Sequence, residues 1–267
     1  MAKKILITGA TDGIGLRTAT ALALDGHDVV LHGRNETKLR AAADAVAAQA
    51  PSARLDTCVA DLSDLSSTAA MARAVSTQHR NLDVLINNAG VFNVEPARAH
   101  GLDLRYTVNT ISPYLLAKRL SAVLGTTGRV VNVSSAAQSP VDLAALRGDV
   151  ALHSDFEAYA QSKLALTMWT RTLADEFGED GPVVVAVNPG SMLGTKMVKD
   201  AFDSDGGDVQ IGADILVRAA LSSEFAASSG LYFDNDAGHF APPHSDALNG
   251  ERCARVAEEI EALLTQY

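Results

Sequence analysis

The feature that most constrains the fold of this chain is a regular alternation of short apolar runs with longer alanine-rich segments. The apolar runs are rich in Val, Ile and Leu, which is typical of β-strands buried on both faces. The alanine-rich segments have the composition of α-helices. Strand followed by helix, repeated along the chain, predicts right-handed crossovers and a parallel sheet with helices on both faces. We therefore expect an α/β fold with a doubly wound parallel sheet of about seven strands.

The predicted elements follow one another without a linker or an internal repeat. Strands are expected at residues 3–7, 28–32, 54–59, 84–86, 129–133, 183–187 and 231–233. Helices are expected at about 13–25, 35–49, 64–79, 101–124, 157–178, 210–222 and 248–265. Because α/β folds of about 250 residues commonly form one unit, the 267 residues are interpreted as a single domain. In such sheets ligands bind at the carboxyl ends of the strands, so functional residues should follow the strands.

Composition and charge exclude several classes of function. With 47% hydrophobic residues, the chain can bury a substantial core. Its net charge of -10 offers no basic field to a nucleic-acid backbone or an anionic membrane, so neither partner is expected. Cys58 and Cys253 stand far apart, and His239 and His244 lack a third ligand, so no metal site is predicted. Without a recognisable signal peptide or an apolar run of about 18 residues, a cytoplasmic protein with no membrane span is expected.

A glycine-rich turn follows the first predicted strand and opens the first predicted helix. Its spacing is Gly-x-x-x-Gly-x-Gly. Glycines let the backbone approach a pyrophosphate, and the amino end of a helix supplies free N–H groups and partial positive charge. Glycine also occurs in such turns for steric reasons alone, but a strand before it and a helix after it favour a dinucleotide site. The candidate cofactor contacts here are Thr8, Gly9, Thr11, Asp12, Gly13, Ile14 and Gly15.

Residues after the second and third predicted strands indicate which nucleotide is bound. Arg34 follows the second strand, where no acidic residue is available for the adenosine ribose. A guanidinium there is suited to a 2′-phosphate, so the sequence favours NADP(H) over NAD(H). Alternatively, Arg34 is a solvated charge at the start of a helix. Asp61 follows the third strand and is either an acceptor for the adenine amino group, with Leu62 beside the ring, or a helix cap.

Further candidate residues follow the fourth and fifth predicted strands. Asn88, Ala89 and Gly90 would allow close packing of a cofactor, although an ordinary Asn-Gly-type turn also explains them. Asn109 lies inside a predicted helix, where an amide is unfavourable by propensity; it has either a specific hydrogen-bonding task or a surface position. Ser135 is placed to donate a hydrogen bond to a substrate carbonyl oxygen, or serves only as a turn former.

Tyr159 and Lys163 have the spacing with the clearest chemical meaning. On a helix, residues four apart share a face, so the phenol and the ammonium project together. A free phenol has a pKa near ~10, and a neighbouring positive charge lowers that pKa and makes the group a usable proton donor and acceptor. The alternative is a tyrosine ring on the core beside a solvated ammonium.

Together these motifs resemble those of the short-chain dehydrogenase/reductase family. The resemblance covers nearly the whole chain: Thr-Gly-x-x-x-Gly-Ile-Gly at 8–15, Asp-Leu at 61–62, Asn-Asn-Ala-Gly at 87–90, Asn109, Ser135, Tyr159-x-x-x-Lys163 and Asn-Pro-Gly at 188–190. It implies a single-domain Rossmann-type fold, with cofactor-binding elements mainly in residues 1–110 and catalytic elements in 105–165. The segments 158–165 and 230–233 are most similar to the retinol dehydrogenase-related reductases, many of which use NADP(H).

The resemblance implies an oxidoreductase that interconverts a carbonyl and an alcohol by hydride transfer with NADP(H). Tyr159 would be the general acid/base, and Ser135 would orient and polarise the substrate oxygen. Lys163 would lower the pKa of the phenol and bind the nicotinamide ribose. Asn109 would hold a water that connects Lys163 to solvent.

The chain departs from the family pattern in two places. The segment 136–157, between Ser135 and Tyr159, is longer than in the compact members; it is expected to form one wall of the substrate cleft, and it leaves a monomer or a homodimer open. Pro189 and Gly190 would cover the nicotinamide carboxamide, but Thr195 stands one residue later than the usual threonine. Residues of about 190–210 are expected to form a mobile lid or a simple surface excursion, and residues 234–247 a cover over the site.

A catalytically silent NADP(H)-binding regulator of the same fold is the alternative function. The intact pair of Tyr159 and Lys163 argues against it, because a sensor needs no tuned proton donor. Apolar residues in the insertion and the lid favour a hydrophobic carbonyl or alcohol substrate. Retinoids, steroids, polyketides and small aldehydes all remain open.

Overall fold

The fold is a single α/β domain, described over residues 2–267 by a computed structural model. Its strands are β1 (Lys4–Ile7), β2 (Asp28–Gly33), β3 (Leu55–Val59), β4 (Val84–Asn87), β5 (Arg98–Ala99), β6 (Leu102–Asp103), β7 (Arg129–Val133), β8 (Val183–Asn188), β9 (Tyr232–Asp234) and β10 (His239–Phe240). Its helices are α1 (Gly13–Leu24), α2 (Glu36–Gln49), α3 (Leu65–Gln78), α4 (Leu104–Tyr106), α5 (Ser112–Leu124), α6 (Leu143–Arg147), α7 (Asp155–Phe177), α8 (Lys196–Phe202), α9 (Val209–Leu221) and α10 (Gly250–Leu264).

The central sheet has eight strands in the order β10-β9-β8-β7-β4-β1-β2-β3. All neighbours are parallel except β10, which is antiparallel to β9 and adds one strand to the expected seven. β5 and β6 form a separate two-stranded hairpin. The strand order reverses between β1 and β4, so the turns that follow these strands lie side by side. The predicted doubly wound α/β fold is confirmed, with a ligand crevice expected at this switch point.

Alternate residues of the strands supply two apolar layers, one on each face of the sheet. In β1, Ile5 and Ile7 pack into one layer and Leu6 into the other. β1, β4 and β7 are buried almost throughout because their alternating side chains meet a helix layer on each face, whereas the edge strand β3 is largely exposed. The larger layer includes the fully buried Trp169 of α7 and residues of α3, α5 and α10, whereas α1 and α9 pack in the other. The sheet and its two helix layers hold α7 and the glycine turn in fixed positions.

The predicted helix at 101–124 is interrupted. Residues Thr107–Ile111 form a π-helical turn between α4 and α5, and β6 occupies the start of the predicted range. Pro113, in the first turn of α5, has no N–H to offer the carbonyl of Asn109, which an α-helix would require. The apolar periodicity of this segment concealed the break, which lies at a predicted functional residue.

Two short helices were not predicted from the sequence. The first, α6, lies in the segment between Ser135 and Tyr159, and the Asp142 carboxylate caps it. The second, α8, follows β8, and the Thr195 hydroxyl caps it. Segments of five to seven residues are too short to display helical periodicity, so their capping residues were the only available signal.

Residues 2–267 contain neither a candidate membrane span nor a candidate metal cluster. No helix in this range has the length and apolarity required to cross a bilayer. No group of three or more His, Cys, Asp or Glu side chains within it is placed to hold a metal ion.

Candidate active site

Side-chain hydrogen bonds join the two turns at the switch point. The Thr8 hydroxyl, after β1, accepts from the backbone N–H groups of Asn88 and Ala89 at 3.0 Å each. The Asn88 amide nitrogen in turn donates to the Thr8 and Gly9 carbonyls at 2.8 and 3.1 Å. Gly9 has a φ of +65°, and a Cβ on it would lie 2.9 Å from the Cα of Ala89. The close approach of the two turns therefore requires glycine at this position.

The first turn leads into the amino end of α1. Asp12 caps this helix by accepting from the backbone N–H of Gly13 at 2.7 Å. A Cβ at Gly15 would lie 2.3 Å from the carbonyl oxygen of the first glycine of the turn. Thr11 and Ile14 are partly buried beside it. A backbone cradle without side chains at a helix amino end fits the pyrophosphate of a dinucleotide, so the residues present fit NAD(P)(H).

His32, which was not predicted as a functional residue, supports the same turn. Its Nδ1 accepts from the backbone N–H of Gly9 at 3.2 Å, so its Nε2 carries the proton and donates to the Ala60 carbonyl at 3.0 Å. Burial lowers the pKa of His32 to about 4, and the imidazole is neutral at physiological pH. The side chain thus ties the carboxyl ends of β1, β2 and β3 together. A histidine within an apolar strand was the only sequence signal.

The residues predicted to contact the adenosine half have different environments. Arg34 is exposed after β2. Asp61 is exposed and accepts from the backbone and hydroxyl of Ser63 at 2.9 and 2.7 Å, whereas the cap of α3 is Asp64, so Asp61 is not a helix cap. Leu62 is 4% exposed and packs in the larger apolar layer. The predicted place of Leu62 beside an adenine ring stays a prediction.

Helix α7 places Tyr159 and Lys163 on the same side, as predicted. The Lys163 Nζ lies 5.7 Å from the centre of the Tyr159 ring and donates to the Val133 carbonyl, at the end of β7, at 2.7 Å. The Lys163 side chain is buried, which excludes a solvated ammonium. Burial lowers the pKa of Lys163 to about 8, so most of the amine is still protonated at neutral pH.

The pKa of Tyr159 differs from expectation. Burial raises it above its ordinary value, and a hydrogen bond with the Ser135 side chain opposes that rise. The sequence predicted that Lys163 would lower it, but desolvation outweighs any such effect in this structure. The Ser135 hydroxyl also accepts from the backbone N–H of Ala137 at 3.1 Å, which orients it at the end of β7. Ser135 and Tyr159 are thus brought together, and the phenol is protonated at neutral pH.

Asn109 is fully buried in the π-helical turn. Its amide oxygen accepts from the Val91 backbone N–H at 2.8 Å, and its amide nitrogen donates to the Val91 carbonyl and the Ser162 hydroxyl at 3.0 Å each. The amide thus ties α7 to the segment that follows the second turn. A Cβ at Gly90 would lie 3.4 Å from the Asn109 Oδ1 and 3.6 Å from the Lys163 Nζ. The surface alternative for Asn109 is excluded, and the three residues meet at one point.

Two further residues, not predicted, fix the position of Ser135. The Tyr232 hydroxyl donates to the Ser135 carbonyl at 3.1 Å, and the Gln138 amide donates to the same oxygen at 3.0 Å. The other end of the Gln138 amide accepts from the backbone N–H of His244 at 3.0 Å. The sequence indicated Tyr232 only as part of the Gly-Leu-Tyr-Phe motif at 230–233, and it gave no role for the hydroxyl.

An aromatic cluster lies against the phenol. The Phe92 ring, just after the second turn, lies 4.8 Å from the Tyr159 ring, 5.4 Å from that of Phe202 in α8 and 6.4 Å from that of Phe156 in α7. Phe92 is buried, whereas Phe156 and Phe202 are about half exposed. The side of the phenol that meets Phe92 is therefore apolar, and Phe202 of α8 adjoins it. Of the segment 136–157, Phe156 is the residue placed at this wall.

Residues 191–207 form a closed excursion above the crevice. Its neck is a backbone pair in which the Gly194 N–H donates to the Gly207 carbonyl at 2.7 Å. Thr195 lies across the first turn, with its methyl carbon 3.4 Å from a Cβ placed on Gly13. Its hydroxyl accepts a hydrogen bond from the Val198 N–H at the start of α8, so it satisfies a backbone group of that helix. Thr195 is near the predicted cofactor site, but its hydroxyl serves as a cap.

The segments after β8 and β9 lie at the same edge of the sheet. Pro189 is buried, and Gly190 has a φ of +123°, where the chain turns towards α8. The ring of Phe240 in the predicted cover packs 5.1 Å from those of Phe225 and Phe233. Phe240 therefore belongs to the core below the sheet edge and not to a cover over Tyr159.

Comparisons with known proteins agree with this architecture. The family model described as short chain dehydrogenase matches residues 3–206, which is more than half of the chain. This chain is a member of the short-chain dehydrogenase/reductase family. The oxidoreductase class predicted from the motifs is thereby confirmed.

This short-chain dehydrogenase/reductase is similar to retinol dehydrogenases. It is 35% identical to bovine retinol dehydrogenase 12 over 205 residues, covering 75% of this chain and 64% of the bovine protein. It is 30% identical to human retinol dehydrogenase 13 over 251 residues, covering 87% of this chain and 76% of the human protein. A short chain dehydrogenase structure from Shigella flexneri, complexed with NADP, superposes with a TM-score of 0.69 at 26% identity, covering 88% of this chain and 97% of that one.

Proposed function

We propose that this short-chain dehydrogenase/reductase interconverts an apolar carbonyl compound and its alcohol with NADP(H), with Tyr159 as the general acid/base. The observation that carries the proposal is the meeting of Ser135, Tyr159, Lys163 and Asn109 beside Gly90, at the switch point of the sheet. When bound, the cofactor supplies or accepts the hydride at the carbonyl carbon.

The residues of this chain have distinct tasks in the proposed reaction. In the direction of reduction, the Tyr159 phenol gives its proton to the substrate oxygen while the Ser135 hydroxyl hydrogen-bonds to that oxygen. Lys163 would contact the nicotinamide ribose, and Asn109 holds α7 in register with the second turn. Because burial raises the pKa of Tyr159, the phenol carries the proton that reduction requires at neutral pH.

Two features support the finer assignments. Arg34 is exposed at the carboxyl end of β2, where a 2′-phosphate would lie, and this favours NADP(H); the Shigella relative is itself described as complexed with NADP. Phe92, Phe156 and Phe202 make the substrate side of the phenol apolar, which favours hydrophobic carbonyl compounds.

Cofactor consumption tests this proposal. The purified protein is incubated with NADPH or NADH and a panel of aliphatic, aromatic and polar aldehydes and ketones, and the alcohol product is measured by chromatography. We expect NADPH oxidation matched by one alcohol per cofactor, faster with NADPH than with NADH. Tight NADPH binding without turnover of any substrate would contradict the proposal and support the regulator instead.

A further inference from the structure

The turn between β9 and β10 clamps the segment that leads out of β8. The Asp236 carboxylate accepts three hydrogen bonds there: from the Ser191 N–H at 2.9 Å, the Ser191 hydroxyl at 2.5 Å and the Asn188 amide at 2.9 Å. The Asn188 amide also donates to Asp234 at 2.8 Å. Asn235 completes the clamp, because its backbone N–H and amide donate to the Asn188 and Pro189 carbonyls at 3.1 and 2.9 Å.

The clamped segment is held in an unusual backbone conformation. Between the clamp and the neck, Gly190 and Met192 both have positive φ values, +123° and +52°. A residue with a side chain adopts such a φ only when its surroundings impose it. On the far side, the Met192 carbonyl accepts from the Gly207 N–H at 2.7 Å. The two anchors, Asp236 on one side and Gly207 on the other, therefore hold the path of the chain from Pro189 into α8.

The ionised carboxylate of Asp236 is the strongest acceptor of this clamp, although it is exposed. Asn188 and Pro189 are buried, but Ser191 and Asp236 are exposed, so the bonds to the carboxylate compete with water. Burial would raise the pKa of Asp236, but the hydrogen bonds from Ser191 and Asn188 lower it overall, so the group is ionised at neutral pH. Hydrogen bonds to an ionised acceptor are stronger than those between neutral groups.

We propose that the Asp236 carboxylate is a positioning residue for the nicotinamide half of the cofactor, through the Pro189-Gly190 segment that it holds. This inference rests on the proposed function and on the expectation, implied by the family resemblance, that the Pro189-Gly190 segment covers the nicotinamide carboxamide. Loosening the clamp disturbs the chain beside the nicotinamide. The glycine turn and Arg34, which serve the other half, form none of the clamp's hydrogen bonds.

Binding measurements with the whole cofactor and with its adenosine half separate an effect on the nicotinamide half from an effect on the adenosine half. Dissociation constants of NADPH and of 2′,5′-ADP, which carries only the adenosine half, are measured by fluorescence or calorimetry for the wild-type protein and the Asp236→Asn variant. We expect Asp236→Asn to raise the dissociation constant of NADPH about tenfold, in line with the loss of one or two charge-assisted hydrogen bonds. The dissociation constant of 2′,5′-ADP should change less than twofold. The KM for NADPH should rise similarly while kcat at saturating NADPH changes little.

Two further variants keep the test decisive. Asp44→Asn removes the same charge from an exposed position of α2 and should leave both ligands unaffected. Ser191→Ala removes only the 2.5 Å hydrogen bond and should weaken NADPH binding by a smaller factor. This variant replaces Asp236→Asn in the test if Asp236→Asn does not fold. Unchanged NADPH binding in both clamp variants, or an equal loss for both ligands, would overturn the inference. A wild-type protein that binds NADPH without reducing any carbonyl would instead overturn the proposed function.

Discussion

The two ends of the candidate site are built differently. At the catalytic end, Asn109 and Lys163 are buried, and protein groups hold their polar atoms. At the adenosine end, the side chains of Arg34 and Asp61 are exposed. Here the protein fixes only the backbone of the glycine turn, which Thr8, Asn88 and His32 hold by hydrogen bonds. Changes at the buried end should therefore alter chemistry and stability, whereas changes at the exposed end should alter only which cofactor binds.

The largest effect is expected at the catalytic end, from Tyr159→Phe. The ring and its packing on Phe92 are retained, but the proton donor is lost. General acid catalysis contributes about 10²- to 10⁴-fold, so kcat should fall by that factor while the Kd of NADPH stays within about threefold. Steady-state kinetics and a binding titration measure the two quantities. A variant with an unimpaired kcat would show that the phenol is not the acid.

The buried amine predicts a pH-dependent stability. Because burial lowers the pKa of Lys163 from 10.5 to about 8, its charge opposes folding fully below about pH 8, and this cost disappears as the pH rises through 10.5. Without cofactor, the free energy of unfolding of the wild type, relative to Lys163→Met, should therefore rise by about 3 kcal/mol over that window. Denaturant titrations at several pH values measure the difference. A difference that stays constant with pH would mean that the amine is solvated.

At the exposed end, Arg34→Ala should change cofactor preference. Loss of a charge-assisted contact with the 2′-phosphate should raise the KM for NADPH about 10- to 100-fold and leave the KM for NADH nearly unchanged. The unfolding temperature should not move, since Arg34 is exposed. Equal effects on both cofactors would place the 2′-phosphate elsewhere and weaken the distinction between the two ends.

The smallest of these effects concerns the aromatic cluster. Phe92→Leu keeps an apolar side chain but removes the ring that lies between Tyr159 and Phe202. Catalytic efficiency towards aromatic aldehydes should fall about two- to tenfold relative to small aliphatic ones, because ring contacts contribute about 0.5–1.5 kcal/mol beyond their buried area. Phe177→Leu, at the far end of α7, is the control. An unchanged ratio would show that substrates do not contact Phe92.

The sequence predicted the architecture well because each strand is a continuous apolar run and each long helix has its own periodicity. Residues such as Asn109, Ser135, Tyr159 and Lys163 could be recognised because they follow strands or lie on α7 at fixed spacings. The π-helical turn was missed, since its cause is a proline two residues beyond the turn.

Contacts between segments remote in sequence could not be predicted. His32 supports Gly9 from the neighbouring strand, and Tyr232 supports Ser135 from a segment 97 residues away. The direction of the Tyr159 pKa shift was also out of reach, because it depends on burial in the folded protein, where Phe92 packs against the ring. The burial of Leu62 was out of reach for the same reason, since only the fold decides which side chains after β3 point into the core.

The central claim is that Tyr159 and a nicotinamide cofactor act on one carbonyl group at this switch point. The most direct measurement follows deuterium from NADPH labelled at the transferred C4 position into the product of an aromatic aldehyde, by mass spectrometry. We predict one deuterium at the carbinol carbon of each alcohol formed by the wild type, and product formation reduced by at least about 10²-fold in Tyr159→Phe. Unlabelled alcohol, or equal labelling rates in the two proteins, would contradict the account.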